Sequence, residues 1–281
     1  MLWRLWASSS GINHFQHGEE SWALVTGASD GIGKSVCQAF AQKGFNVVLH
    51  GRNQEKLNGV KEELQAAWPD RKFEIVVADA TQGSLASEVA SAVKGKHVTI
   101  LVNNAGYTST LIEPLVAQDP DVLQRGVDIG CTWLTQLTRA MLPQLIENKP
   151  SAVVNIGSFV AAHPPPFLAV YAGTKGYTRA FSQALRTEMR LTGHKDVDIQ
   201  YHESHSVATK ANGSPVSTAA PDPDTMARSI VVAIGQRKGF IVPYWSHELT
   251  NWFLWIMPES WVQKMSGSIL QTKRTDLKKA D

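Results

Sequence analysis

Ser158, Tyr171 and Lys175 are spaced to move a proton at a carbonyl oxygen. Ser158 precedes Tyr171 by thirteen residues, and Lys175 follows it by four. Residues four apart on a helix share a face, so a phenol and an ammonium would stand side by side. A free tyrosine ionises near pH ~10, too high for efficient proton exchange at neutrality. An adjacent ammonium is expected to favour the phenolate and lower that value. The Ser158 hydroxyl would hydrogen-bond the same carbonyl oxygen and hold it while a hydride reaches the carbon. A Tyr-x-x-x-Lys pair is common by chance and is ordinarily a surface pair. Its weight here comes from a second pattern upstream.

That pattern is Thr26-Gly27-Ala28-Ser29-Asp30-Gly31-Ile32-Gly33. An apolar run precedes it, and Ile32, Val36 and Phe40 follow at helical spacing. Glycines between a strand and a helix permit a tight turn. They also let the backbone approach a pyrophosphate, whose charge suits the helix N-terminus. The next strand ends Leu49-His50-Gly51-Arg52-Asn53, with an arginine and no acid. An acid there would bond the ribose hydroxyls of NAD, whereas a guanidinium grips a 2′-phosphate. The reading favours NADPH, the alternative being a solvated arginine at a strand end.

These residues need a frame that brings them to one edge. Apolar runs at residues 22–26, 45–49, 73–78, 98–102, 152–156, 197–201 and 239–242 read as strands. Helical patterns lie between them, including long ones over residues 122–142 and 168–191. Regular alternation predicts one parallel sheet with helices on both faces. The 281 residues suit one such domain, and 43% apolar content supplies a core. A net charge of +2 without an aromatic-interleaved basic patch argues against nucleic acid. Cys37 and Cys131 read as inert buried thiols on helices, which points weakly to a reducing compartment.

Residues 1–21 read as a short, poorly ordered leader, with neither a signal peptide nor a spanning run. Residues 22–245 would form the reductase domain and 246–281 an apolar segment with a basic tail. Within that segment, residues 249–257 are a candidate for peripheral membrane contact. Residues 208–225 are rich in Ser, Pro, Ala and Asp, the composition of a substrate lid spanning about 203–225 or of a plain linker.

Taken together, the chain resembles the short-chain dehydrogenase/reductase family over about residues 22–242. The resemblance rests on the glycine loop, Asp79, Asn103-Asn104-Ala105-Gly106, Ser158 and Tyr171 with Lys175. It implies a single-domain, Rossmann-like, doubly wound α/β fold with a sheet of about seven strands. It also implies catalysis by Ser158, Tyr171 and Lys175. The implied NADP(H) contacts are Gly27, Ser29, Asp30, Gly31, Ile32, Gly33, Arg52, Asp79, Asn103, Ala105, Gly106, Val207 and Thr209, together with Tyr171 and Lys175. A narrower similarity to very-long-chain 3-oxoacyl-CoA reductases and 17β-hydroxysteroid dehydrogenases is carried by Asn155-Ile156-Gly157-Ser158-Phe159 and Val242-Pro243-Tyr244-Trp245-Ser246-His247.

Two departures stand out. The family's relay asparagine is replaced by Gly130, and Asp128 could substitute only if the backbone shifts. The Pro-Gly pair after the sixth strand is replaced by Ser204-His205, as is frequent in the reductase subgroup. The expectation is reduction of a ketone by NADPH, the substrate being a 3-oxoacyl thioester or related lipid-like ketone. Alternatives are a polyketide or steroid ketone in specialised metabolism, or a non-catalytic NADP-binding regulator. The family resemblance implies a homodimer or homotetramer. Lys278 and Lys279 would act as a retrieval signal on the cytosolic face of the endoplasmic reticulum, or as a solvated tail of a cytoplasmic protein. His247 is read as a packed histidine rather than a substrate contact.

Overall fold

The structure, a computed structural model, describes residues 11–107 and 112–280. Seven strands form one parallel sheet: β1 Ser21–Thr26, β2 Asn46–Gly51, β3 Phe73–Val77, β4 His97–Asn103, β5 Ser151–Ser158, β6 Val197–Ser204 and β7 Phe240–Ile241. Their order is β3-β2-β1-β4-β5-β6-β7. The direction of progression reverses between β1 and β4, and ligands of such sheets bind beyond the carboxyl ends of the strands at that point.

Helices cover both faces. They are α1 Gly31–Gln42, α2 Gln54–Ala67, α3 Ala86–Ala92, α4 Pro120–Val127, α5 Leu134–Glu147, α6 Ala169–Leu191 and α7 Pro223–Ile234, followed by α8 Trp245–Ile256 and α9 Glu259–Ala280. Strands β1, β2, β5 and β6 are buried along their whole length, which explains their apolar runs. One core packs α1 and α7 on the sheet through Val36, Phe40 and Ile230. The other packs α3, α5 and α6 through Val89, Leu137, Met141 and Leu185. Burial of each such side chain contributes roughly 1.5–3 kcal/mol.

Three expectations need correction. Residues 11–20 are not a loose leader: Ile12 and Phe15 are buried in the first core, on a short 3₁₀ turn. The Gly11 backbone lies so close to Gly235 that a Cβ on residue 235 would come within 2.4 Å of it. Two apolar anchors in a polar stretch are too sparse to register as periodicity. The leader's first ten residues lie outside the described ones. The single helix expected over residues 122–142 is instead α4, a π-helical turn at Asp128–Trp133, and α5. Gly126 and Gly130 lack side chains where this region meets Val170 and Thr174 of α6, and the extra residue in the turn accommodates that approach. Cys37 is fully buried, but Cys131 is only half-buried. The apolar segment near residue 252 belongs to a helical elbow, α8 and α9 meeting at Pro258. No helix among the described residues is long and apolar enough to cross a membrane.

Candidate active site

A cleft of about 790 Å³ opens at the carboxyl edge of the sheet. One half is the glycine loop. Gly27 (φ 66°) and Gly31 (φ 53°) adopt left-handed backbone that other residues resist. Gly33 serves packing instead, because a Cβ there would sit 2.1 Å from the Gly27 carbonyl oxygen. Gly27, Ser29, Asp30, Gly31 and Ile32 line the cleft, and the Asp30 carboxylate caps α1 by accepting from the Gly31 N–H at 2.7 Å.

The loop is held to the end of β4 by Thr26 and Asn104. The Asn104 and Ala105 N–H groups both donate to Thr26 Oγ1 at 2.9 Å. Asn104 Nδ2 in turn donates to the Thr26 carbonyl at 2.9 Å. Asn104, Ala105 and Gly106 form the cleft wall. Asn103, expected as a cofactor contact, does not line the cleft. It is buried below, where Nδ2 donates to Thr138 Oγ1 at 3.0 Å and Asn155 Oδ1 at 2.8 Å. Strand alternation puts adjacent asparagines on opposite sides, and only tertiary contacts say which one faces the cleft.

Arg52 and Asp79 border the same half, the Asp79 carboxylate accepting from the Thr81 N–H at 2.9 Å. Val207 and Thr209 close it from the segment after β6, and Thr209 Cγ2 lies 3.4 Å from where a Gly31 Cβ would be. This cradle fits a dinucleotide phosphate group. It has bare backbone at Gly27 and Gly31, a helix N-terminus and an arginine at the far end.

Ser158, Tyr171 and Lys175 meet in the other half. Ser158 ends β5, and its side chain and the Tyr171 phenol face the same cleft. One helical turn on, Lys175 Nζ donates to the Ile156 carbonyl at 2.8 Å and lies 5.9 Å from the centre of the Tyr171 ring. Burial pulls the Lys175 ammonium down to about 8. Burial also pushes the Tyr171 phenol up, and the nearby Ser158 hydroxyl opposes this only in part. The expected lowering by Lys175 is therefore reversed. Its ammonium is turned to a backbone carbonyl, and desolvation of the phenolate sets the direction of the shift. At neutral pH the phenol is protonated, the form that can donate.

Gly130 faces α6. A Cβ there would lie 2.6 Å from Thr174 Cβ, so no asparagine fits beside this threonine. Asp128 does not replace it: its carboxylate accepts from Gln124 Nε2 at 2.9 Å and does not line the cleft. His247 is buried, stacked on His205 at 4.9 Å, with Nε2 3.2 Å from the Ala219 carbonyl oxygen. Sequence reading missed several lining residues, among them Asn104, Phe159, His205, Ile269 and Leu270. Asn104 had a local signal in its motif. Ile269 and Leu270 had none, being about a hundred residues beyond the Tyr171 helix turn.

A model of the short chain dehydrogenase family matches residues 21–218. The chain belongs to that family, a class of oxidoreductases. It is 32% identical over 252 residues to a very-long-chain 3-oxoacyl-CoA reductase of Neurospora crassa, covering 86% of this chain and 75% of the relative. The enzyme of the same name from Mycosarcoma maydis is 28% identical and covers 97% of this chain and 80% of its own. A short-chain dehydrogenase from Sphingobium yanoikuyae in complex with NADPH superposes with a TM-score of 0.72 at 26% identity, over 84% of this chain and 92% of that one. A 7beta-hydroxysteroid dehydrogenase shares the fold at 18% identity, with a TM-score of 0.77 over 90% and 99% of the two chains.

Proposed function

We propose that this chain reduces a ketone to a secondary alcohol with NADPH, and that the ketone is a 3-oxoacyl thioester. The carrying observation is the convergence of Ser158, Tyr171 and Lys175 in one cleft beside the glycine cradle. The relatives named as 3-oxoacyl-CoA reductases and the NADPH-bound neighbour support this reading. NADPH would supply the hydride. Gly27, Ser29, Gly31 and the α1 N-terminus would hold its pyrophosphate, and Arg52 its 2′-phosphate. Tyr171 would donate its proton to the carbonyl oxygen, which Ser158 orients. Lys175 would bond the ribose and stabilise the phenolate left behind.

The far side of the cleft is apolar, with Ile112, Pro165, Leu168, Ile269 and Leu270. This lining suits an acyl chain. NADPH oxidation with 3-oxoacyl-CoAs of increasing length is expected to show turnover that rises with chain length; no turnover on any of them would sink the substrate reading. Ile269→Trp should narrow the α9 side, lowering kcat/KM for the longest chains about tenfold and sparing the shortest. Equal loss at all lengths would place the chain elsewhere.

The elbow after β7 is proposed as a lipid-surface contact. Leu249, Trp252, Phe253, Trp255 and Ile256 are exposed on α8, opposite buried His247 and Leu254. Trp261, Met265 and Ile269 continue at four-residue steps on α9. Exposed tryptophans suit the headgroup layer, and Ile269 lies at the cleft wall. Flotation with phosphatidylcholine vesicles should carry the native protein, and Trp252→Ser with Trp255→Ser should lose most of it. Equal flotation of both would refute the contact.

A further inference from the structure

Gly157 and Tyr201 are far apart in sequence and share one space. A Cβ on residue 157 would lie 2.1 Å from Tyr201 Cζ, 2.2 Å from Cε2 and 2.4 Å from Oη. The glycine is thus required by the tyrosine, whose ring fills the volume that a side chain at 157 would take. Tyr201 is fully buried on β6. Its far side is fixed by stacking on Phe240 at 5.8 Å, and the Arg179 guanidinium lies 5.1 Å from that second ring.

The phenol oxygen makes two bonds, both to the backbone of Ser158. It accepts from the Ser158 N–H at 3.1 Å and donates to the Ser158 carbonyl at 3.1 Å. Ser158 is the last residue of β5, after which the chain turns into a 3₁₀ segment starting at Phe159. A strand end is where backbone direction is least constrained by the sheet. Here one hydroxyl holds both backbone polar groups of the residue whose side chain shares the cleft with Tyr171. Burial pushes the Tyr201 phenol up, so it stays neutral and can donate and accept together.

We infer that Tyr201 is a positioning residue of the reductase site: by clamping the Ser158 backbone through the space left by Gly157, it aims the Ser158 hydroxyl at Tyr171 and at the substrate carbonyl. Tyr201 does not line the cleft and touches no reacting atom. Its effect on catalysis is therefore routed through Ser158. The inference rests on the reductase reading above.

A double-mutant cycle tests it, with NADPH binding followed by fluorescence as the check on folding. Tyr201→Phe keeps the ring and removes the clamp. It should lower kcat roughly tenfold and leave KM and NADPH affinity within about twofold, since a misaimed hydroxyl weakens transition-state stabilisation rather than binding. In a Ser158→Ala background the same change should cost less than about twofold, because no hydroxyl remains to aim. An equal tenfold loss in both backgrounds would mean a general structural role and overturn the inference, as would unchanged kcat in the native background. If Tyr201→Phe fails to bind NADPH, Tyr201→Gln against Tyr201→Met makes the same distinction. Glutamine supplies a donor and an acceptor, methionine neither, and equal kcat for the two would overturn the inference. Absence of turnover by the native chain would instead defeat the reductase reading, and this inference with it.

Discussion

Tyr171→Phe should lower kcat on the order of 10³-fold while NADPH affinity stays within about twofold, because general acid catalysis contributes roughly 10²–10⁴. The change deletes one oxygen and keeps the ring in place. That oxygen is the proposed proton donor, near the Ser158 hydroxyl and held protonated by burial. Nothing in the glycine cradle depends on it, so cofactor binding should survive. Pre-steady-state turnover at saturating NADPH and substrate would measure the loss directly. A variant within about tenfold of the native rate would mean that another group delivers the proton.

Arg52→Ala should weaken NADPH by about 10²-fold and leave NADH nearly unchanged. Arg52 borders the cleft beyond the end of β2, and no neighbouring acid competes for a phosphate in the segment that carries it. Charge-assisted hydrogen bonds are worth about 1.5–3 kcal/mol each. One such bond gives about tenfold to 10²-fold, and a bidentate pair would exceed that if it were fully desolvated. Arg52 is exposed, so the observed loss should lie between these limits and shrink as salt is raised. Titrations of both nucleotides at two ionic strengths would check this. Equal losses for NADPH and NADH would remove Arg52 from the 2′-phosphate site.

The two largest effects concern residues legible in the sequence, and the reason is local. Gly27 to Gly33 is one strand–turn–helix unit, and Tyr171 and Lys175 lie one helical turn apart. Patterns of this kind depend on neighbours in the chain, so residue type and spacing report them. The strand alternation was legible for the same reason, since strands buried on both faces must be apolar throughout.

Other features were set by residues distant in sequence. Asn103 and Asn104 are adjacent, but only their contacts with Thr138, Asn155 and Thr26 decide that Asn104 forms the wall and Asn103 the support. Gly130 reads as a missing relay residue until Thr174 is found in the space an asparagine would need. Spacing puts an ammonium one turn from Tyr171 but does not record the desolvation that sets the direction of its shift.

By itself, then, the sequence determined the class of fold, the glycine turn of the cofactor cradle and the one-turn spacing of Tyr171 and Lys175, since each is written in short-range order. Tertiary structure alone decided what surrounds them. It put Phe15 in the core, α9 over the cleft and Tyr201 behind Ser158. Those placements follow from excluded volume and burial between segments up to two hundred residues apart, which no local pattern records.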